Sequence, residues 1–135
     1  MRAGDAALAG LLLREQVVMH PFVLGELALG SVRNRGELLR LLARLPRVVV
    51  ARDAEVLALI ERAGLFGRGI GYIDAHLLAA ARLTPGTFLW TRDRRLAVVA
   101  DGMGLLLALR EGLEDAAEIG VFTQEAERDL HGSGV

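Results

Sequence analysis

The chain has 135 residues, of which 53% are hydrophobic and 24% are charged, enough for one compact domain but not for two. It contains no cysteine, which excludes disulfides, thiolate zinc sites, iron–sulfur clusters and cysteine nucleophiles and fits a cytoplasmic protein. Charged residues interrupt every apolar run before the roughly 18 residues that a membrane span needs, so we expect no membrane association.

The net charge of −1 conceals a difference between the two parts of the chain. Residues 1–110 carry 15 arginines against 10 acidic residues, whereas residues 111–135 carry one arginine against seven acidic residues. Arginine can bind phosphate or carboxylate in a bidentate manner, although a charged surface is usually only solvated. We therefore predict a domain at 1–107 and an acidic C-terminal extension of unknown order at 108–135.

Helical and strand patterns alternate along the predicted domain, which favours an α/β fold with a mostly parallel sheet. In chain order the first half predicts a helix around 8–12, a strand at 17–19, a helix from Pro21 to about Val32, a helix at about 37–44, a strand at 48–50 and a helix capped by Asp53 that runs to Arg62. The second half predicts a glycine loop at 67–71, a helix at about 72–82, a buried strand at 87–90, a helix at about 94–101 and a strand at 105–107. Beyond Glu111 the composition predicts an acidic, helix-like segment.

Glu26 lies in an apolar stretch of a predicted helix, where its neighbours three and four positions away are apolar residues or glycine. Burying an unpaired carboxylate costs several kcal/mol, so we expect Glu26 to be paired, protonated or bound to a cation. A salt bridge to Arg33 or to another arginine is the alternative.

Two further acids fall at element boundaries. Asp74 lies in the first turn of a predicted helix, and Asp93 follows a predicted buried strand; helix capping is the alternative role for each. Strand ends and helix starts meet at one edge of a doubly wound sheet, so we expect Asp74 and Asp93 to meet there with Glu26 facing them. Clustered carboxylates repel one another unless a cation neutralises them, which predicts a Mg²⁺ or Mn²⁺ site. Three arginines near this edge are candidate phosphate contacts: Arg68, Arg92 and Arg94.

Other residues favour structural roles. His20 is predicted to cap the helix that begins at Pro21, and His76 to be a packing residue. Phe88 and Trp90 are predicted core residues before they are base-stacking surfaces. The loop at 67–71 lacks the Gly-Lys-Ser/Thr sequence of a P-loop, which argues against nucleotide binding.

Three segments carry a family resemblance: HPFVLGELALG at 20–30, GRGIGYIDAHLL at 67–78 and LWTRDRRL at 89–96. In order and context they closely resemble PIN-domain ribonucleases of the VapC toxin family, across most of residues 3–107. The resemblance implies a three-layer α/β/α PIN fold and Mg²⁺-dependent cleavage of RNA. It also implies a cognate VapB-type antitoxin and a homodimer.

By this likeness Glu26, Asp74 and Asp93 match three members of the family's acidic set, and Thr91 matches the hydroxyl residue beside the last of them. The family opens with a central strand that ends in another aspartate, whereas residues 1–5 already lie beyond that strand. The resemblance therefore predicts a sheet without its first central strand and a site without one metal ligand. We expect a start upstream of Met1 to restore both.

Two functions of different classes follow. The first is a Mg²⁺-dependent endoribonuclease toxin that hydrolyses RNA with a metal-activated water. The second is a truncated, inactive PIN remnant that acts only as a protein-interaction module. A nuclease of the same fold directed at DNA is a third alternative.

Overall fold

The computed structural model describes residues 17–31 and 33–107 and the backbone of 121–123. The helix predicted around 8–12 lies outside the described residues. The described part comprises β1 (Val17–Val18), α1 (Pro21–Leu29), α2 (Arg35–Ala43), α3 (Asp53–Ala63), α4 (Tyr72–Leu83), β2 (Phe88–Trp90), α5 (Arg94–Gly102) and β3 (Val121–Thr123). None of the helices in these ranges is both long enough and apolar enough to cross a membrane.

Helix α1 begins as the sequence predicts. Pro21 occupies its first turn, where the missing N–H costs no hydrogen bond. The N-cap is His20, whose Nδ1 accepts a hydrogen bond from the backbone N–H of Phe22 at 2.9 Å. The helix ends at Leu29, short of the predicted Val32, because the chain is extended at Gly30.

Helix α3 begins differently from the prediction. Asp53 is its first residue and not its N-cap, which is Arg52. The backbone N–H of Arg52 donates to Glu55 Oε1 at 2.9 Å, and this bond closes the helix start without Asp53. The carboxylate of Asp53 is thereby available for a contact with the hydroxyl of Tyr72, at 3.1 Å.

The named strands form a sheet in the order β1-β3-β2, and β3 is antiparallel to both neighbours. The predicted mostly parallel sheet is therefore not confirmed. The strand predicted at 48–50 is reduced to one parallel bridge between Arg47 and Met19, and the one at 105–107 to a parallel bridge between Leu106 and Leu89. The first ladder stops because the backbone N–H of Val49 donates to Thr84 Oγ1 and not to a strand.

Strand β3 fills the middle of the sheet. Thr123 pairs with Val17 on one side and with Phe88 on the other. Because β1 and most of β2 are almost fully buried, their backbone groups need a protein partner in place of water. The segment predicted as helix-like is thus a strand at 121–123, while the division of the chain at 107/108 stays a prediction.

The core surrounds helix α4, whose residues from Ala75 to Ala81 are all buried. Small side chains on this helix, among them Ala75 and Ala79, permit the close approach of α3 and β2. Trp90 is fully buried, as predicted for a core residue. The α/β class is confirmed, whereas the three-layer sandwich stays a prediction.

Candidate active site

One cavity of about 310 Å³ collects all three acids that the sequence singles out. Glu26 comes from α1, Asp74 from the first turn of α4, and Asp93 from the junction between β2 and α5. The lining residues are Phe22, Val23, Glu26, Leu27, Ile73, Asp74, Leu77, Thr91, Asp93 and Leu96. Residues 67 positions apart in the chain thus face one space, which is the arrangement that a shared ligand requires.

Glu26 is exposed, contrary to the buried position that its apolar neighbours predict. Helix α1 turns Val23 and Leu27 into the core, and Glu26 lies outside that pair of positions. The alternative of a salt bridge is not found in the described residues, whose two ion pairs are Arg52–Glu55 and His76–Asp53. The Glu26 carboxylate therefore remains hydrated and can turn toward the cavity.

Asp74 is fixed by the start of α4. Its Oδ2 accepts a hydrogen bond from the backbone N–H of Gly71 at 3.1 Å. Burial raises the pKa of Asp74 above its usual value, and the negative charge of Asp93 raises it further, while the Gly71 hydrogen bond lowers it. Because both carboxylates line one cavity, they repel each other electrostatically.

Asp93 and Thr91 are fixed where β2 passes into α5. Asp93 is the N-cap of α5, and its Oδ1 accepts from the backbone N–H of Leu96 at 3.0 Å. Thr91 is 1% exposed, and its Oγ1 accepts from the backbone N–H of Asp93 at 3.1 Å. This turn holds the Asp93 carboxylate against the cavity before any ligand binds.

Asp74 and Asp93 therefore both take part in helix capping, but each uses only one of its two carboxylate oxygens for it. Among the described residues, Asp74 Oδ1 and Asp93 Oδ2 have no hydrogen-bond partner. A carboxylate can cap a helix with one oxygen and present the other to a cation. Capping and cation binding are thus compatible at this site.

The donor set fits a hard divalent cation, though not a closed cage. No three His, Asp or Glu side chains of the described residues lie close enough to hold one metal ion together. Mg²⁺ is typically bound by one or two carboxylates, with waters and substrate phosphates at its other positions. Asp74 and Asp93 provide two such carboxylates, and Glu26 lies across the same cavity.

The predicted phosphate-contact arginines separate into two environments. Arg68 and Arg94, together with Arg95, line a second cavity of about 220 Å³, and we refer to these three as the basic patch. Arg95 lies against Gly69, whose φ of +81° and missing Cβ make room for it. Arg92 is instead 7% exposed, with its guanidinium 5.3 Å from the ring centroid of Trp90, which removes it from the surface that phosphates reach.

A row of rings beside the acid cavity is not predicted by the sequence. His76 is buried as predicted, and its Nε2 lies 3.3 Å from Asp53 Oδ1. Its ring contacts Tyr72 edge-on at 4.7 Å and Phe22 at 5.0 Å, and Phe22 in turn contacts His20 at 4.8 Å. No local signal joins Asp53 to residues about 20 positions away, so only the packing of α3 on α4 reveals the row.

Burial, together with the charges of His76 and Arg47, lowers the pKa of His20 from 6.5 to about 4. The imidazole is therefore neutral at physiological pH, the form whose Nδ1 can accept the hydrogen bond that caps α1.

Comparisons with known proteins identify the family to which the chain belongs. The family model described as PIN domain matches residues 2–102. Ribonuclease VapC32 of Mycobacterium tuberculosis, from strain CDC 1551 / Oshkosh and from strain ATCC 25618 / H37Rv, is 45% identical over 108 residues, which cover 80% of this chain and 87% of the relative. No solved structure matches the chain significantly. The chain therefore belongs to the PIN-domain family, among its VapC members.

Proposed function

We propose that the chain is a Mg²⁺- or Mn²⁺-dependent endoribonuclease toxin. The observation that carries the proposal is the single cavity lined by Glu26, Asp74 and Asp93, in which both aspartates keep a carboxylate oxygen outside their capping bonds. The similarity to proteins named Ribonuclease VapC32 supports RNA as the substrate. Membership of the VapC family implies a VapB-type antitoxin as the partner, and we propose a homodimer as the assembly.

Asp74 and Asp93 are the residues that would hold the cation. A divalent ion bound there supplies a more acidic water and stabilises negative charge on a phosphate. Both carboxylates are fixed by backbone N–H groups, so little reorganisation is needed when the ion binds. Since burial and Asp93 disfavour the charged form of Asp74, an added positive charge relieves an existing cost.

The other cavity residues have distinct roles in this proposal. Glu26 is hydrated on the facing wall and can accept a hydrogen bond from a water in the cavity. Thr91 orients Asp93 through its hydroxyl. We assign the exposed arginines Arg68 and Arg94 of the basic patch to contacts with phosphates of the RNA.

The test is a comparison of Asp74→Asn with Asp101→Asn. Asparagine keeps an oxygen that can accept the Gly71 N–H, so α4 keeps its start, whereas the carboxylate charge is lost. Asp101 lies on α5, exposed and outside the cavity lining, and serves as the matched control. We expect EDTA-sensitive RNA cleavage by the wild type and by Asp101→Asn, and cleavage reduced by roughly 10³-fold for Asp74→Asn. Cleavage by Asp74→Asn at the wild-type rate would remove Asp74 from the mechanism.

The second candidate is a non-catalytic interaction module. It is favoured by the lack, within the described residues, of three acidic or histidine side chains at metal-binding distance from one another. Helix α1 also leaves Leu29 86% exposed. Titration with Mn²⁺ distinguishes the two candidates, because a module binds the ion weakly and cleaves no RNA. Matched RNA and DNA oligonucleotides at equal salt test the DNA alternative, since phosphate contacts alone do not discriminate the sugar.

A further inference from the structure

We propose that Phe22 is a stacking surface for a nucleobase of single-stranded RNA at the rim of the acid cavity. The inference deepens the proposed function and rests on it. It assigns a substrate-specificity role to a residue that is neither acidic nor basic.

Phe22 is the aromatic residue among the side chains that line the acid cavity. It lies in the first turn of α1 and lines the same cavity as Glu26 and Asp74. It is 36% exposed, whereas Val23 and Leu27 on the same helix are buried. An aromatic ring thus borders the same space that the three carboxylates line.

The ring of Phe22 is supported by two buried imidazoles. His20 contacts it at 4.8 Å with the ring planes at 58°, and His76 contacts it at 5.0 Å with the planes at 64°. His20 also accepts the backbone N–H of Phe22, and His76 is held in turn by Asp53. These contacts restrict the ring before a ligand arrives, so little rotamer entropy is lost on stacking.

The group that contacts Phe22 is a nucleobase, because a phosphate and a cation each have better partners nearby. A phenyl ring offers a π-face, which every nucleobase matches, and RNA recognition commonly uses unstacked bases on aromatic side chains. A cation is served by the carboxylates of the cavity, and phosphates by the exposed arginines of the basic patch. One nucleotide can therefore place its base on Phe22 while its phosphate meets a cation held by Asp74 and Asp93.

Other aromatic residues of the described part do not offer this combination. Trp90 is fully buried. Phe66 is 65% exposed, but it lies outside the residues that line the acid cavity. Phe66 is therefore the matched control for an exposed phenylalanine.

The experiment measures binding of short single-stranded RNA that carries 2-aminopurine at successive positions, whose fluorescence falls when the base stacks. Binding is recorded in EDTA, where the proposed cleavage does not occur, so that the result does not depend on turnover. The variants are Phe22→Leu, Phe22→Trp and Phe66→Leu, each checked for folding by circular dichroism. A second RNA series has an abasic site at the position where 2-aminopurine responds.

We expect the wild type, Phe22→Trp and Phe66→Leu to quench 2-aminopurine at one position. Phe22→Leu should lose this quenching and bind about tenfold more weakly, as expected for one base on one aromatic ring. With abasic RNA the difference between Phe22→Leu and the wild type should vanish, because the group that stacks is absent. This dependence on the base is not produced by a merely structural role of Phe22.

Three results would overturn the inference. Equal RNA affinity and quenching by Phe22→Leu and the wild type removes the stacking role while leaving the Asp74 result as evidence for the nuclease. The same tenfold loss on intact and on abasic RNA assigns Phe22 to protein packing or to a protein partner. No RNA binding by the wild type overturns the inference together with the proposed function.

Discussion

The two walls of the acid cavity are built in different ways. On one wall, Asp74 and Asp93 each accept a backbone N–H at a helix start, and this fixes both carboxylates. On the other wall, Glu26 and Phe22 project from α1 with part of their surface in water. The difference indicates that the first wall holds its two charges in fixed positions, whereas the second presents a hydrated carboxylate and an exposed ring to a ligand.

The sheet connects these walls. Strand β1 leads through His20 into α1, and β2 leads through Thr91 into α5. Strand β3 hydrogen-bonds to both and so sets the distance between them. The spacing of the cavity therefore depends on a segment that is close to neither wall in sequence.

The largest difference between the walls is expected in activity. Asp74→Asn should reduce RNA cleavage by roughly 10³-fold, because a cation site stabilises charge by several kcal/mol. Glu26→Gln should reduce it by only about tenfold, since this hydrated side chain is replaceable by water. Cleavage rates of both variants at saturating Mg²⁺ test the comparison, and a larger loss for Glu26→Gln would reverse the roles of the walls.

A proline in β3 should destabilise the sheet that connects the two walls of the cavity. Phe122→Pro removes a backbone N–H from the middle strand and should lower the free energy of unfolding by about 3 kcal/mol. Phe122→Ala keeps that N–H and is the matched control for the side chain. Urea denaturation measures both. Equal stability of the proline variant and the alanine variant would show that β3 does not hold the sheet through its backbone.

Mild acid should destabilise the fold through His20, which caps α1, the helix that forms the second wall. Its pKa is about 4 in the folded chain and 6.5 in the unfolded chain, so the unfolded state takes up the proton first as pH falls. The folded state should therefore lose about 2 kcal/mol of stability between neutral pH and about pH 5, and about 3 kcal/mol in total once the pH falls below about 4. His20→Asn keeps a side-chain acceptor for the helix cap and should flatten this dependence. An unchanged profile in His20→Asn would assign the acid sensitivity to other groups.

A divalent metal ion at the wall that holds Asp74 should stabilise the fold at neutral pH but not in acid. Since the pKa of Asp74 is raised, its contribution favours folding at low pH and is lost as pH rises through that pKa. Mg²⁺ or Mn²⁺ at ten times its Kd should then stabilise the chain by about 1.4 kcal/mol at neutral pH and little below about pH 4. Thermal melts of the wild type and of Asp74→Asn measure this shift, and an equal shift in both would place the ion elsewhere.

Features that depend on nearby residues are predictable from the sequence, whereas features that depend on packing are not. The cap at His20, the acids at the starts of α4 and α5 and the burial of Trp90 are predictable, because each depends on neighbours within a few positions. The exposure of Glu26 is not, since apolar neighbours along a helix do not reveal which face meets the core. Arg92 likewise stands beside Asp93 in sequence but lies over Trp90.

By itself the sequence determined the chemistry of the site and most helix starts, since carboxylates, prolines and caps act over one turn of backbone. Only the tertiary structure decided that β3 lies between β1 and β2, that the ring row supports Phe22, and that Arg92 is buried. These features join residues that are distant in the chain. Each of these features depends on which backbone groups still lack a hydrogen-bond partner, and which side chains are still uncovered, after the helices pack. A local sequence pattern carries no information about either.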